Sequence, residues 1–270
     1  MIYIYRDKMK HNFKIFIIFL FIVSAKLFAD ESNSYERYVG IGNCCLPRMQ
    51  INLYLNKKFQ ISPNRFGGGQ LFDWMVIHDY TKFVIALENE LLDVFEYSDL
   101  KLGPSWRDNF LYVKNIKYEM TWNHLFSRHP DGYIAPNIID LEYAEKKSKI
   151  DHLTNKFKSL GQYKTLYILA YPYPKDGISP ILTVAPDRST IIRVRDAIKN
   201  IRGNSNFTLL YCTYEKTFDS FENISVRTIP NADNGYTSTE QCERWEMIFE
   251  EFPHSLEGIT EDQNDGLLFV

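Results

Sequence analysis

Apolar positions recur at two spacings along this chain, and each spacing predicts a kind of element. Phe83, Leu87, Leu91 and Val94 fall at i, i+4, i+8 and i+11 behind Asp79, which predicts a capped helix running through Glu96. Ile150, Leu153, Phe157 and Leu160 form a second stripe, on a helix over roughly 140–160 that Gly161 ends. Asp187 can cap a third helix, which Gly203 ends after Arg202. Ser238 and Gln241 make a capping-box pattern, opening a helix that turns Cys242, Trp245, Phe249 and Phe252 inward. Between these lie the short apolar runs Thr165–Tyr171, Phe207–Tyr214 and Ile224–Ile229, as expected of strands buried on both faces. Tyr35–Ile41 reads as a strand entering Gly42-Asn43, and Cys45–Leu55 as a helix that tolerates Pro47 in its first turn. The alternation predicts an α/β fold: a mixed, mainly parallel sheet flanked by helices, with a cysteine at a strand-to-helix turn. With no internal repeat or low-complexity linker, residues 35–270 read as one domain.

The N-terminus follows a different pattern. Lys8, Lys10 and Lys14 precede an apolar run from Ile15 to Ala25, eleven residues broken only by Ser24. A membrane-spanning helix needs about 20 such residues. A basic start, a short apolar stretch and Ala29 before Asp30-Glu31-Ser32 read as a secretory signal peptide over residues 1–29. Met9 is a plausible alternative start. The expected location is therefore secreted, periplasmic or in the cell envelope, with membrane contact only through this segment.

Charge narrows the partners. The 270 residues carry 31 basic and 34 acidic groups, a net charge of −3. Loss of residues 1–29 removes five basic groups and Asp7, leaving 26 basic and 33 acidic and a net charge of −7. Neither balance suits nucleic acid or an anionic membrane surface. Four cysteines, none spaced as CxxC, do not make a disulfide scaffold. No His, Cys and carboxylate spacing fits a zinc site, and no Lys-Ser/Thr follows Gly67-Gly68-Gly69 as a phosphate loop requires. No metal or cofactor is expected. The tyrosines at 163, 167, 171 and 173 read as sheet and core residues, and the sequons at Asn206 and Asn223 matter only in a eukaryotic secretory host.

The chemistry concentrates at Gly42-Asn43-Cys44-Cys45. A cysteine where a strand turns into a helix meets unpaired backbone N–H groups and the positive end of the helix dipole. Both stabilise a thiolate, and the same groups can hold an oxyanion. The competing role is structural: a buried thiol, or a disulfide with Cys212 or Cys242. A thiolate needs an imidazole partner. His124 follows an apolar, strand-like stretch at Ile116–Met120. His129 sits in a turn sequence, His152 on a charged helix face, and His78 just before the Asp79 cap. Asp73, between Phe72 and Trp74, must be paired or hydrogen-bonded; it either orients the imidazole or makes a buried structural bond. Asp131 and Asp140 are weaker carboxylates. Gln50 lies about 140° around the helix from Cys45, which favours a structural role.

These blocks resemble a bacterial family of unknown function described as papain-like cysteine peptidases. Tyr38-Val39-Gly40-Ile41-Gly42-Asn43-Cys44-Cys45 and then Gln50-Ile51 resemble its Ser-Leu-Gly-x-x-Cys…Gln-Leu opening. Leu71-Phe72-Asp73-Trp74-Met75-Val76-Ile77 is similar to its Pro-Phe-Asp-Trp-Leu-Ile block, and Ala86-Leu87-Glu88-Asn89-Glu90 to its Ala-Leu-Glu-Asn-Asp. His124-Leu125-Phe126 is similar to its His-Asp-Phe. Gly40, Leu71 and Leu125 depart from the pattern, and residues 67–69 look inserted. The resemblance implies Cys45 as nucleophile, with Cys44 as fallback because Gly-Asn-Cys also occurs in a family of polysaccharide-biosynthesis acyltransferases. It implies His124 as the base and a peptide or other acyl substrate; Asp73 is the candidate third member on the reading of its apolar neighbours given above. The resemblance also carries a papain-like α+β arrangement as the alternative fold. The expected function is an exported cysteine hydrolase. The alternatives are a Cys/His acyltransferase acting on a carbohydrate or lipid acceptor, and a non-catalytic envelope or binding protein.

Overall fold

Thr165–Tyr171 is buried at every position and forms one of the two inner strands of a four-stranded parallel sheet. The computed structural model describes residues 34–42, 45–59, 70–73, 75–104, 111–171, 185–231, 235 and 237–255. The predicted signal segment at 1–29 lies outside them. In chain order the described elements are β1 (Arg37–Gly40), α1 (Leu46–Phe59), β2 (Met75–Ile77), α2 (Tyr80–Glu88), β3 (Leu100–Pro104), β4 (Leu111–Asn115), β5 (Met120–Trp122) and α3 (Ile138–Ser159). They continue with β6 (Thr165–Tyr171), α4 (Arg188–Arg202), β7 (Phe207–Thr213), β8 (Ile224–Thr228) and α5 (Thr239–Glu251). The fold is mixed α/β. A parallel sheet has the order β1-β6-β7-β8, and a second, antiparallel sheet has the order β2-β5-β4-β3. Among the described residues no helix is long and apolar enough to cross a membrane.

Strand periodicity divides the core. On one face of the parallel sheet Tyr38, Leu166, Ile168, Ala170, Leu210 and Cys212 pack against α1 and α5, chiefly Leu46, Ile51, Trp245 and Phe249. On the other, Val39, Ile41, Tyr167, Leu169 and Tyr211 pack against α2, α3, α4 and the second sheet. Met75, Ile77, Met120 and Trp122 of that second sheet join the same apolar cluster. Helix α4 begins and ends as its sequence predicts: the Asp187 carboxylate accepts the Thr190 N–H, and Gly203 closes it in the left-handed conformation.

Three expectations need correction. The helix capped by Asp79 stops at Glu88, where Leu91 N–H turns back to Ala86 O (2.9 Å) and Glu90 and Leu91 take positive φ. Leu91 and Val94 are buried as the stripe required, but they reach the core from a turn. Ile116–Met120 is not a strand. The Asn115 side chain accepts the Tyr118 N–H (2.7 Å) and donates to Val94 O (2.9 Å), which folds 116–119 into a turn and leaves Ile116 exposed. On α5 the inward place next to Cys242 goes to Gln241, which donates to Pro230 O (2.7 Å) and accepts from Trp245 Nε1 (3.1 Å). Its side chain is thereby spent, so the capping box is one-sided, with Ser238 accepting the Gln241 N–H. The mixed α/β prediction holds, with parallel pairing in β1, β6, β7 and β8 and antiparallel pairing in β2 to β5.

Arg202, at the end of α4, is buried. Its guanidinium donates to Leu160 O, Thr165 Oγ1 and Tyr167 Oη, each at 3.0 Å. It also donates to Tyr163 O (2.7 Å) and Asn206 O (3.1 Å). It thereby joins the end of α3 to the entries of β6 and β7. Replacing it by Met, which keeps bulk but strands these acceptors, should cost about 3–5 kcal/mol in urea unfolding.

The chain returns to the start of β1 at its far end. Tyr35 N–H donates to Pro253 O (2.7 Å) and Ser255 N–H to Tyr35 O (2.8 Å), so Tyr35 and His254 pair as a parallel bridge. His254 is buried, lies edge-on to Tyr38 and donates from Nδ1 to Ser255 O (2.7 Å). Burial, with Arg37 and Lys58 nearby, pushes its pKa down to about 4. The unfolded chain, with an ordinary histidine near 6.5, therefore binds more protons between these values. Stability should rise with pH across about 4 to 6.5, by about 3 kcal/mol in all. Urea titrations at stepped pH should show this slope, and His254→Phe should flatten it.

Candidate functional site

The cysteine turn is built by the end of β1. The ladder to β6 continues past Gly40: Ile41 N–H donates to Ile168 O and Ala170 N–H to Gly42 O, both at 2.8 Å. Gly42 then takes φ +106°, and a Cβ there would lie 2.7 Å from Ile77 Cδ1. Both the conformation and the close approach demand glycine. Asn43 and Cys44 lie outside the described residues. Cys45 directly precedes α1, and its carbonyl accepts the Met49 N–H (2.9 Å), the first i+4 bond of that helix. Cys45 thus occupies the N-cap position and is half-buried. Pro47 has no N–H, so Leu46 and Arg48 carry the first-turn donors that lack an acceptor within the helix.

Asp73 lies beside this first turn. It is buried, and its Oδ2 accepts the Gln70 N–H (2.8 Å) and sits 3.5 Å from Arg48 Nε. Its Oδ1 is buried without a hydrogen-bond partner. Burial raises its pKa, against the opposing pull of Arg48, the Gln70 N–H and Lys156. No imidazole is among its partners. The structure therefore joins Asp73 to the helix that carries Cys45, and not to His124.

His124 follows β5 on a turn and is exposed. Met120 pairs with Ile77 and Trp122 with Met75, so His124 lies past the end of β5 remote from Ile77. Partial burial, followed by the Arg128 cation, lowers its pKa, which leaves the imidazole neutral at pH 7. His78 is the imidazole adjacent to the residue that packs on Gly42. It is buried, and its Nε2 bonds Thr121 Oγ1 (2.8 Å). Of the weaker candidates, His129 pairs with Asp131 (3.6 Å) at the surface, Asp140 bonds Tyr97 Oη, and Gln50 is buried in α1. His152 is exposed.

Cys45, Cys212 and Cys242 form no disulfide, which removes the bridges with Cys45 considered as the structural alternative. Burial pushes the Cys212 thiol far up, out of the reactive range. Arg48 is the site residue that sequence reasoning missed. A signal existed: a cation in a helix's first turn opposes the dipole and calls for a carboxylate partner. Among the described residues, no group of three or more His, Cys, Asp or Glu could hold a metal. No family model, curated protein or solved structure matches the chain.

Gly42→Ala should destabilise the fold by roughly 1–3 kcal/mol, from the positive φ and the contact with Ile77. Urea unfolding measures it, and Ile77→Val in the same chain should recover part of the loss by relieving the clash.

Proposed function

We propose that the chain is an exported thiol hydrolase that cleaves a peptide or related acyl substrate with Cys45 as nucleophile. The observation that carries this reading is the place of Cys45: a half-buried, unbridged thiol at the N-cap of α1, reached through a turn that only glycine permits. The blocks around Cys45, Asp73 and His124 that resemble the papain-like family support the same reading. Cys45 Sγ attacks the acyl carbon as its proton passes to an imidazole. The first-turn N–H groups of α1 take the developing oxyanion. The carbon–nitrogen bond then breaks, and the amine leaves with that proton. Water, deprotonated by the same imidazole, hydrolyses the thioester and restores the thiol.

His124 is the proposed base. Its lowered pKa suits a neutral imidazole that accepts a proton, in contrast to a resting thiolate–imidazolium pair. His78 is the second candidate, favoured by its position next to Ile77, which packs on Gly42. Transfer to a carbohydrate or lipid acceptor would use the same thiol and would appear as product formed only when an acceptor is added.

The test is iodoacetamide labelling of Cys45 in the Cys44→Ser chain, mapped by mass and followed from pH 5 to 10. Labelling should be fast well below pH 8, and His124→Ala should slow it about tenfold or more. Its acid limb should fall below pH 6.5, since the folded pKa of His124 is depressed. Slowing by His78→Ala alone would move the base to His78. Slow labelling that neither change affects would overturn the reading.

A further inference from the structure

We infer that Arg48 and Asp73 act on the Cys45 thiol as opposed charges, with Arg48 promoting its ionisation and Asp73 restraining it. This rests on Cys45 being the reactive group proposed above. It assigns Asp73 a positioning and electrostatic role in place of orienting an imidazole.

The geometry brings the three groups to one turn of helix. Cys45 is the N-cap and Arg48 the third residue of α1, the position toward whose backbone N–H an N-cap side chain turns. Asp73 reaches that turn from the segment before β2, with Oδ2 3.5 Å from Arg48 Nε. Its other oxygen lies beside Gly40, where the first turn of α1 also packs. Oδ1 lies 3.8 Å from where a Cβ on Gly40 would be, and the Arg48 backbone N lies 3.7 Å from the same point. That oxygen is buried without a hydrogen bond, so its charge is directed at the positive end of α1 and not neutralised by a donor.

A guanidinium in the first turn of a helix is disfavoured by the dipole, and a buried carboxylate is disfavoured by desolvation. Each is tolerated because of the other. Their fields at the thiol have opposite signs, so together they leave the helix N-terminus to set its acidity. Lys156 on α3 is the other charge acting on Asp73, and it favours the ionised carboxylate. In a partly buried site, one uncompensated charge within about 4–6 Å moves a titration by roughly one pH unit or more.

The pair can be separated by experiment. In the full chain carrying Cys44→Ser, the labelling midpoint of Cys45 is measured for the parent, Asp73→Asn, Arg48→Gln and the double variant. Asp73→Asn removes an anion and frees a cation, so the midpoint should fall by about one pH unit or more. Arg48→Gln does the reverse, and the midpoint should rise by a similar amount. The double variant should return near the parent. A purely structural role loosens the turn in both single variants and moves both midpoints in one direction; that result, or no movement, overturns the inference. Continued protection of Cys212 from the reagent reports that each variant is folded. If Asp73→Asn exposes Cys212, the comparison of Arg48→Lys with Arg48→Gln decides: charge control keeps the parent midpoint in the first and raises it in the second, and equal midpoints overturn it. Opposed shifts around an ordinary thiol midpoint would instead overturn the hydrolase reading and leave the charge pair standing. A low parent midpoint without opposed shifts would do the opposite.

Discussion

A single buried guanidinium holds the entry side of the parallel sheet together. Arg202 satisfies oxygens from the end of α3, from β6 and from the segment entering β7, while its planar face lies 5.5 Å from the centre of Tyr167 and 5.4 Å from that of Phe207. A fork with several donors suits this task, because carbonyl and hydroxyl oxygens from three segments converge on one side chain. A loop-borne amide could serve one or two of them, and the rest would be buried without donors. The central strands therefore start from a fixed point, and their register follows from it: Thr165 opposite Phe207, through to Tyr171 opposite Thr213.

The site occupies the other end. In an open parallel sheet the carboxyl ends of the strands are where loops gather, and the Gly42 turn leaves β1 there. The second sheet is part of this arrangement. It places Ile77 on Gly42 and Asp73 beside Gly40, so it acts as a wall behind the cysteine turn. Rigidity at the Arg202 end and close packing at the Ile77 end together fix where α1 begins. The position of a nucleophile at its N-cap depends on that.

Much of the parallel half was legible in the sequence, because its signals are local. Asp187 and Gly203 each announce a helix end by their own chemistry, and Thr165–Tyr171 is apolar because both of its faces are covered. The antiparallel half was not. Strands of three residues, such as Met75–Ile77 and Met120–Trp122, are too short to show alternation, and Ile116 interrupts them with an exposed apolar side chain in a turn. Leu91 and Val94 imitate a helical stripe, since burial imposes spacing whether or not the backbone stays helical. At the site, the N-cap placement of Cys45 could be read from a strand, a glycine and a helix in succession. The partnership of Arg48 with Asp73 could not, because it joins residues 25 positions apart through a tertiary contact that no local pattern encodes.

The bridge between Tyr35 and His254 also has a consequence for the molecule's behaviour among its own copies. β1 is the outermost strand of the parallel sheet, and an outer strand offers a row of open backbone groups that another chain can pair with. Tyr35 gives its outward N–H and C=O to residues 253 and 255. The stretch at residues 253–255 thus works as a guard rail, keeping the sheet closed to strangers where β1 begins.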